Sequence, residues 1–254
     1  APQNFAGPRC TLSAPRVLSV CGGNSMTLKG LVFAGMGTLA ECADLDRQAW
    51  NAAFRTHGLR WNWSWDTYAE LMRPGGHRHL ATRFADYLGV DVAAEKLDRT
   101  HIRGFAARLV GRVPLRPGVA EILLWAAQSD VKIALVSRAS AAPLHALLAA
   151  TARERGGIEF DAIVAREDDL RPAPHPDAVA EGANRLGARP KTTVVIADTP
   201  AAAAAALDAG MATIAWPGQL AEDQVFPQGA HVVGAVAPAT IVAAQNAFGQ
   251  KAAG

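Results

Sequence analysis

Short hydrophobic runs alternate with longer helical patterns in the second half of the chain. Strand-like runs lie at 131–136, 160–164, 193–196 and 212–215, and helical patterns at 120–128, 141–154, 177–186 and 201–209. An earlier run at 31–33, closed by Gly35 and Gly37, predicts one more buried strand. This alternation is typical of a doubly wound parallel sheet with helices on both faces. Sheets of this kind bind ligands at the carboxyl ends of their strands.

A long helical pattern separates the strand at 31–33 from the alternating part. Between residues 45 and 109, hydrophobic side chains recur at three- and four-residue spacing, and several are aromatic. The pattern predicts a helical unit with its own core, inserted after the first strand. Trp61, Trp63 and Trp65 alternate at the period of a strand, or of a loop fixed on this unit. We interpret them as packing residues, with an exposed aromatic patch for a partner as the alternative.

Composition places the chain among globular proteins. Of the 254 residues, 50% are hydrophobic and 19% are charged, which excludes a disordered chain. The 25 Lys and Arg residues against 23 Asp and Glu residues give a net charge of +2, too small for a dedicated nucleic-acid-binding protein. No uninterrupted apolar segment reaches the roughly 20 residues of a membrane-spanning helix. We therefore expect no nucleic-acid partner and no membrane-spanning segment.

The three cysteines are Cys10, Cys21 and Cys42. Their spacing matches no zinc-binding pattern, and their number is odd. We expect reduced thiols in a reducing compartment.

The N-terminal part has a distinct composition. The first forty residues contain no Asp or Glu and are rich in Pro, Gly, Ser and Asn. Such a tract resembles the end of an organellar targeting region, and it is equally compatible with an ordinary extension. Residues 1–25 show no periodic apolar face, so we expect an extended segment that docks on other subunits. Its expected apolar contacts are Phe5, Leu12, Val17 and Leu18.

The segment 31–41 resembles motif one of the haloacid dehalogenase superfamily. That motif has hydrophobic residues followed by Asp, any residue, Asp, Gly, Thr and Leu. Gly37, Thr38 and Leu39 match it, whereas Ala34 and Met36 stand at the two aspartate positions. Over residues 29–247 the chain is similar to the CbbY-like subfamily of sugar-phosphate phosphatases and phosphosugar mutases. The similarity is carried by segments 47–54, 61–65, 75–76 and 115–118 and by Tyr68.

This resemblance implies a definite architecture. The family core is an α/β Rossmannoid fold with a doubly wound parallel sheet, and a helical cap of the C1 type is inserted after motif one. We assign residues 1–28 to an N-terminal extension, 29–41 and 112–250 to the core, and 42–111 to the cap.

The other family motifs are only partly present. The resemblance implies a phosphate-holding Ser or Thr at a strand end, where Ser137 stands, followed by Arg138. It implies a Lys before a Pro-x-Pro sequence, where Ala173 stands, and two adjacent acids for magnesium, where Ala197 and Asp198 stand.

Some further positions have competing interpretations. In the cap, Asp46 and His77 stand roughly at the subfamily's substrate-selecting positions, although His77 and the nearby His79 also suit an exposed loop. Arg171 lies near the missing Lys but is not expected to reach the site.

The altered motifs predict loss of the family chemistry. Ala34 offers no nucleophile to attack phosphorus, and Met36 has no titratable proton. Hydrolysis of phosphate monoesters needs accelerations of up to ~10²¹, which binding alone does not supply. Asp198 alone is a poor magnesium site. We expect no catalytic residue and no cofactor, with magnesium only if residual activity exists, and a vestigial phosphate site at Ser137 and Arg138.

Three functions follow from this pattern. The first is a pseudoenzyme kept as a structural or protein-binding subunit of a larger organellar complex, in the chloroplast stroma rather than the mitochondrion or cytoplasm. The second is a sensor that binds a phosphorylated sugar through Ser137, Arg138 and the next helix N-terminus. The third is an active sugar-phosphate phosphatase or mutase that recruits Asp168, Asp169 or Asp198 as a displaced nucleophile.

Two of these side chains also have a structural interpretation. Ser137 is interpreted equally well as the N-cap of the helix at Ala141. For Asp198, an N-cap of the helix near Ala201 is preferred to a metal-binding role.

Overall fold

The fold is built on a six-stranded sheet, seen in a computed structural model that describes residues 27–73, 80–111, 113–171 and 173–251. The strand order is β3-β2-β1-β4-β5-β6, and every pairing is parallel. The strands are β1 (Gly30–Ala34), β2 (Lys132–Val136), β3 (Ala162–Val164), β4 (Thr193–Ala197), β5 (Ala212–Ala215) and β6 (His231–Val232).

Nine helices accompany the sheet within the described ranges. They are α1 (Ala43–Thr56), α2 (Trp65–Met72), α3 (Leu80–Leu88), α4 (Ala94–Leu109), α5 (Val119–Gln128), α6 (Ala141–Thr151), α7 (Asp177–Arg185), α8 (Pro200–Asp208) and α9 (Pro238–Lys251). The predicted parallel α/β fold with helices inserted after the first strand is confirmed. Within these ranges, no helix is both long and apolar enough to cross a membrane.

Some predictions fall outside the described residues. These are the extension up to Ser25 with its docking residues Phe5, Leu12, Val17 and Leu18, the thiols of Cys10 and Cys21, and the loop histidines His77 and His79. Cys42 is a free, buried thiol, and burial raises its pKa.

The central strand explains why the sheet is covered on both faces. All five residues of β1 are buried. Leu31 and Phe33 point into one hydrophobic cluster, and Val32 and Ala34 point into another on the opposite face. Because side chains alternate along a strand, an uninterrupted apolar sequence needs helices on both sides.

The inserted helices have a separate aromatic core. Trp50, Phe54, Trp63 and Tyr68 are buried there together with Leu80 and Leu97. The ring of Trp63 lies 4.7 Å from that of Phe54, in an edge-on arrangement, and Trp61 packs on Phe54 in the same way at 5.3 Å. The packing interpretation of this tryptophan cluster is therefore confirmed.

Both predicted helix caps are wrong. Ser140 is the N-cap residue of α6, while the Ser137 hydroxyl accepts a hydrogen bond from the Ala139 amide at 3.1 Å. Thr199 is the N-cap of α8, and its hydroxyl accepts from the Ala202 amide at 3.3 Å. Pro200 is suited to the first helical position because it needs no amide donor there, and this places the cap one residue after Asp198.

Candidate functional site

A cavity of about 190 Å³ lies between the carboxyl ends of the central strands and the inserted helices. The core contributes side chains that follow β1, β2 and β4, and the cap contributes residues of α1, α2 and α4. Predicted site residues that line the cavity are Ala34, Met36, Asp46, Ser137, Arg138, Ala173 and Asp198. Ala197 is fully buried in the sheet beside them.

The Asp198 carboxylate lies against the backbone of the loop that follows β1. Gly35 has φ 119°, a conformation that only glycine adopts readily. A Cβ atom on Gly35 or on Gly37 would collide with the Asp198 carboxylate. These two glycines therefore form a cradle for Asp198, directly beside Ala34 and Met36.

Asp198 is held in an environment that favours its protonated form. Burial is the main cause that raises its pKa to about 6, and the Glu41 carboxylate adds to the increase, while Arg116 and Arg138 oppose it. Burial likewise raises the pKa of Glu41. In the described part of the chain, no group of three or more His, Cys, Asp and Glu side chains could hold a metal ion.

Arg116 ties the first loop to the segment after β5. Its guanidinium donates to the carbonyl oxygens of Gly37 at 2.9 Å and Pro217 at 2.8 Å. It lies 3.5 Å above the Trp216 ring and 3.5 Å from the Glu41 carboxylate. Glu41 and Arg116 lie in segments that resemble the family, but the sequence did not predict their contact. Nothing in a sequence indicates a contact between residues so far apart.

The phosphate-site candidates are placed together, with different contacts. The Ser137 amide donates to the Val164 carbonyl at 2.9 Å, which extends the sheet pairing. Arg138 has no hydrogen bond and no ion pair to any part of the chain that the structure describes, and burial lowers its pKa. At the start of α6, the Ala141 amide donates to the Glu167 carboxylate at 2.9 Å. The helix N-terminus of the sensor prediction is therefore already paired with an internal anion.

The cap side of the cavity carries a buried polar network. The Tyr68 hydroxyl donates to one Asp46 carboxylate oxygen at 2.6 Å, and His101 Nε2 lies 2.5 Å from the other. The His101 ring stacks on Trp50 with 3.9 Å between centroids. Burial, followed by the Asp46 charge, raises the pKa of Tyr68. Sequence reasoning selected Asp46 but missed His101, which the helical pattern presents as one more inward position of α4.

The proposed replacement nucleophiles do not gather at the site. Asp168 is paired with Arg185 at 2.7 Å and accepts from the Ala165 amide at 2.7 Å. Neither Asp168 nor Asp169 lines the cavity. Arg171 pairs with Asp177 at 2.6 Å, away from the position of the missing Lys, as expected. Of the three candidate acids, only Asp198 faces the cavity.

Comparison with known proteins agrees with this geometry. The profile of the haloacid dehalogenase-like hydrolases matches residues 36–210. The protein CbbY of Rhodobacter capsulatus is 32% identical over 206 residues, which cover 79% of this chain and 90% of that protein. The chain belongs to the haloacid dehalogenase-like hydrolase family. A CBBY-like protein of Arabidopsis thaliana is 28% identical over 77% of this chain and 65% of its own length.

Solved structures of this hydrolase family have the same fold. CbbY from Rhodobacter sphaeroides in complex with phosphate superposes with a TM-score of 0.79 at 26% identity, covering 86% of this chain and 99% of that one. A mutant of that protein in complex with xylulose-(1,5)bisphosphate gives the same TM-score, over 87% of this chain and all of that one. The chain is thus a CbbY-like member of the family, which confirms the resemblance found in the sequence.

Proposed function

We propose that this chain is a catalytically inactive member of the hydrolase family. The observation that carries the proposal is the position of Ala34 and Met36, which line the cavity where motif one has its two aspartates. Neither side chain can attack phosphorus or transfer a proton. Ala173 lines the same cavity at the Lys position, so the charge that would stabilise a transferring phosphoryl group is also missing.

Asp198 is a poor substitute for the missing groups. Its carboxylate lies against Gly35 and Gly37, and burial raises its pKa to about 6. The nearby Glu41 faces Arg116 at 3.5 Å and accepts from the Gln219 amide at 3.3 Å. Magnesium is usually held by one or two carboxylates together with waters and substrate phosphate oxygens, and here Arg116 already neutralises one of the two nearby acids. The proposed function therefore involves no magnesium.

We place the chain as a structural or protein-binding subunit of a larger organellar complex, with the chloroplast stroma preferred. The complete hydrophobic cores on both sheet faces support a fold retained without its chemistry. The acid-free first forty residues support an organellar address, and the similarity to an Arabidopsis protein is compatible with a plant setting.

A second candidate is binding of a small molecule without turnover. The observation in its favour is the cavity of about 190 Å³ with Arg138 unpaired in its wall. Related structures hold phosphate or xylulose-(1,5)bisphosphate, which makes a sugar phosphate the family's own ligand class to test.

Steady-state hydrolysis tests the proposed inactivity. The full chain is assayed with a generic phosphomonoester and with xylulose 1,5-bisphosphate, with and without Mg²⁺. We expect no magnesium-dependent phosphate release and no difference between the wild type and Asp198→Ala. Magnesium-dependent release that Asp198→Ala abolishes would overturn the proposal. Native co-purification with identification of bound proteins tests the subunit role, and recovery of the chain alone would contradict that role.

A further inference from the structure

Two opposite charges face the cavity without a partner. Arg138 and Asp198 both line it, and each perturbs the pKa of the other electrostatically. They form no ion pair within 4.0 Å, and neither is paired with another side chain in the described ranges. Burying a charged side chain costs free energy unless a partner of opposite charge or a bridging water molecule compensates for the lost hydration.

The other charged groups around the cavity already have partners. Asp46 is bound by Tyr68 and His101, and Glu41 faces Arg116. At the rim, Arg73 pairs with Asp223 at 2.9 Å. His175 Nδ1, on the same wall, lies 3.2 Å from the Asp177 carboxylate, so among the described residues the charge left for a ligand is one guanidinium and one carboxylate.

The rest of the wall is largely apolar. Its core side carries apolar side chains, three of which (Ala34, Met36 and Ala173) stand where the family has acids or a lysine, and the cap adds further apolar groups. These residues are Ala34, Met36, Ala173, Val179, Ala202 and Ala205 from the core, and Met72 and Phe105 from the cap. Such a surface suits a hydrocarbon body better than a ring of hydroxyl groups.

This charge balance disfavours a phosphate dianion. Arg138 alone would face two negative charges, with Asp198 and Glu41 repelling them and an internal carboxylate already on the α6 N-terminus. A ligand that carries one negative and one positive group would instead satisfy both unpaired side chains.

We propose that the cavity binds a small zwitterion of the amino-acid class. Its carboxylate lies on the Arg138 guanidinium and the Ser137 hydroxyl, its ammonium group lies on Asp198, and its apolar body lies on Met36 and the alanine wall. A guanidinium and a carboxylate form a bidentate hydrogen-bonded pair. The ammonium group supplies a positive charge next to the two neighbouring acids, Asp198 and Glu41. This ligand class deepens the binding role proposed above and rests on it.

Calorimetry of the full chain with L-leucine as the probe tests this ligand class. N-acetyl-L-leucine lacks the positive charge, L-leucinamide lacks the negative charge, and xylulose 1,5-bisphosphate represents the family ligand. We expect each leucine derivative to bind at least about tenfold more weakly than leucine, because each loses one charge-assisted hydrogen bond. The bisphosphate should also bind more weakly than leucine.

Substitutions of Arg138 and Asp198 test whether these two side chains bind the ligand. Arg138→Gln and Asp198→Asn should each weaken leucine binding about tenfold or more, whereas Arg153→Gln, at an exposed position outside the cavity, should leave it unchanged. Asp198→Asn should not weaken binding of N-acetyl-L-leucine. The comparison of ligands on the wild type keeps the test valid if a variant does not fold.

Several results would overturn the zwitterion proposal. They are tighter binding of the bisphosphate, no heat with any probe, and leucine binding that is indifferent to both charges. The last two would mean that water alone bridges Arg138 and Asp198. Magnesium-dependent hydrolysis is measured separately, and its appearance would instead overturn the proposed inactivity.

Discussion

At the scale of single residues, the site has exchanged charge for apolar surface. A motif-one loop with two aspartates near Asp198 and Glu41 would gather four carboxylates beside one cavity. Ala34 and Met36 remove two of them, and this reduces the mutual repulsion that would otherwise destabilise the folded state. Burial, followed by repulsion from Glu41, still raises the pKa of Asp198.

The raised pKa of Asp198 predicts a defined dependence of stability on pH. Its pKa is about 6 in the folded chain against a reference of 3.8, so the folded state holds the proton more tightly than the unfolded state. Between about pH 4 and pH 6, the free energy of unfolding should therefore fall as pH rises. The full shift corresponds to at most about 3 kcal/mol, and partial solvation makes the loss smaller.

Urea unfolding of the wild type and of Asp198→Asn from pH 4 to pH 7 measures this effect. The wild type should lose stability relative to the variant as pH rises, and Glu41 adds to the loss because it repels the Asp198 carboxylate only in the wild type. A wild type that gains stability relative to Asp198→Asn over this range would contradict the raised pKa.

The buried hydroxyl of Tyr68 predicts a second residue-scale effect. Tyr68→Phe removes the donor at 2.6 Å from Asp46 and leaves a buried carboxylate with one partner fewer. We expect a loss of about 1–3 kcal/mol in the free energy of unfolding. Tyr87→Phe is the matched control, since that side chain is 83% exposed and should change stability by less than about 0.5 kcal/mol. Equal effects of the two changes would show that the Asp46 network does not stabilise the fold.

At the scale of elements, the sequence predicts the interior better than the ends. Strands β1 to β5 were predictable because continuous apolar, β-branched runs have few alternatives to burial. β6 has only two residues, both exposed, and gives no such signal. In α9, Ile241, Ala244 and Phe248 pack against the core, but the small residues around them leave little contrast between the helix faces.

The first residue of a helix depends on local capping chemistry, and the hydrophobic pattern locates it only to within a few residues. Asp198 and Thr199 are both good N-cap residues, and the choice between them follows from Pro200 at the first helical position. The partners of Glu41 and His101 depend on packing between distant segments, which periodicity does not encode. Candidate residues were therefore predictable from motif positions, whereas their pairing was not.

At the junction between α5 and the segment before α9, we expect stability to be sensitive to substitution of Gly118. Gly118 has φ 90°, and a Cβ atom there would lie 2.5 Å from the Val236 carbonyl oxygen. Gly210, with φ 70°, has nothing within 4 Å of the same position. Gly210→Ala should cost about 1–2 kcal/mol for its backbone conformation, and Gly118→Ala should cost about 1–3 kcal/mol more for the collision. Thermal unfolding of both variants measures the difference, and equal losses would show that the junction can relax.

At the scale of the whole molecule, the inserted helices and the carboxyl ends of the strands line the same cavity. α4 packs against both α1 and α6, and Arg166 pairs with Asp98 of α4 at 3.1 Å. The fold thus keeps the family arrangement, with a cap held over the carboxyl ends of the strands. The proposed inactivity therefore rests on the side chains at that junction and not on a change of fold.

A single-turnover assay tests the proposed inactivity most directly. The full chain, in excess over xylulose 1,5-bisphosphate and supplied with Mg²⁺, is followed for released phosphate, so that slow product release cannot hide a reaction. We predict release no faster than in buffer, because no described side chain in the cavity can replace the two aspartates that the family has where Ala34 and Met36 stand. Stoichiometric, magnesium-dependent release that Asp198→Asn abolishes would contradict the proposed inactivity.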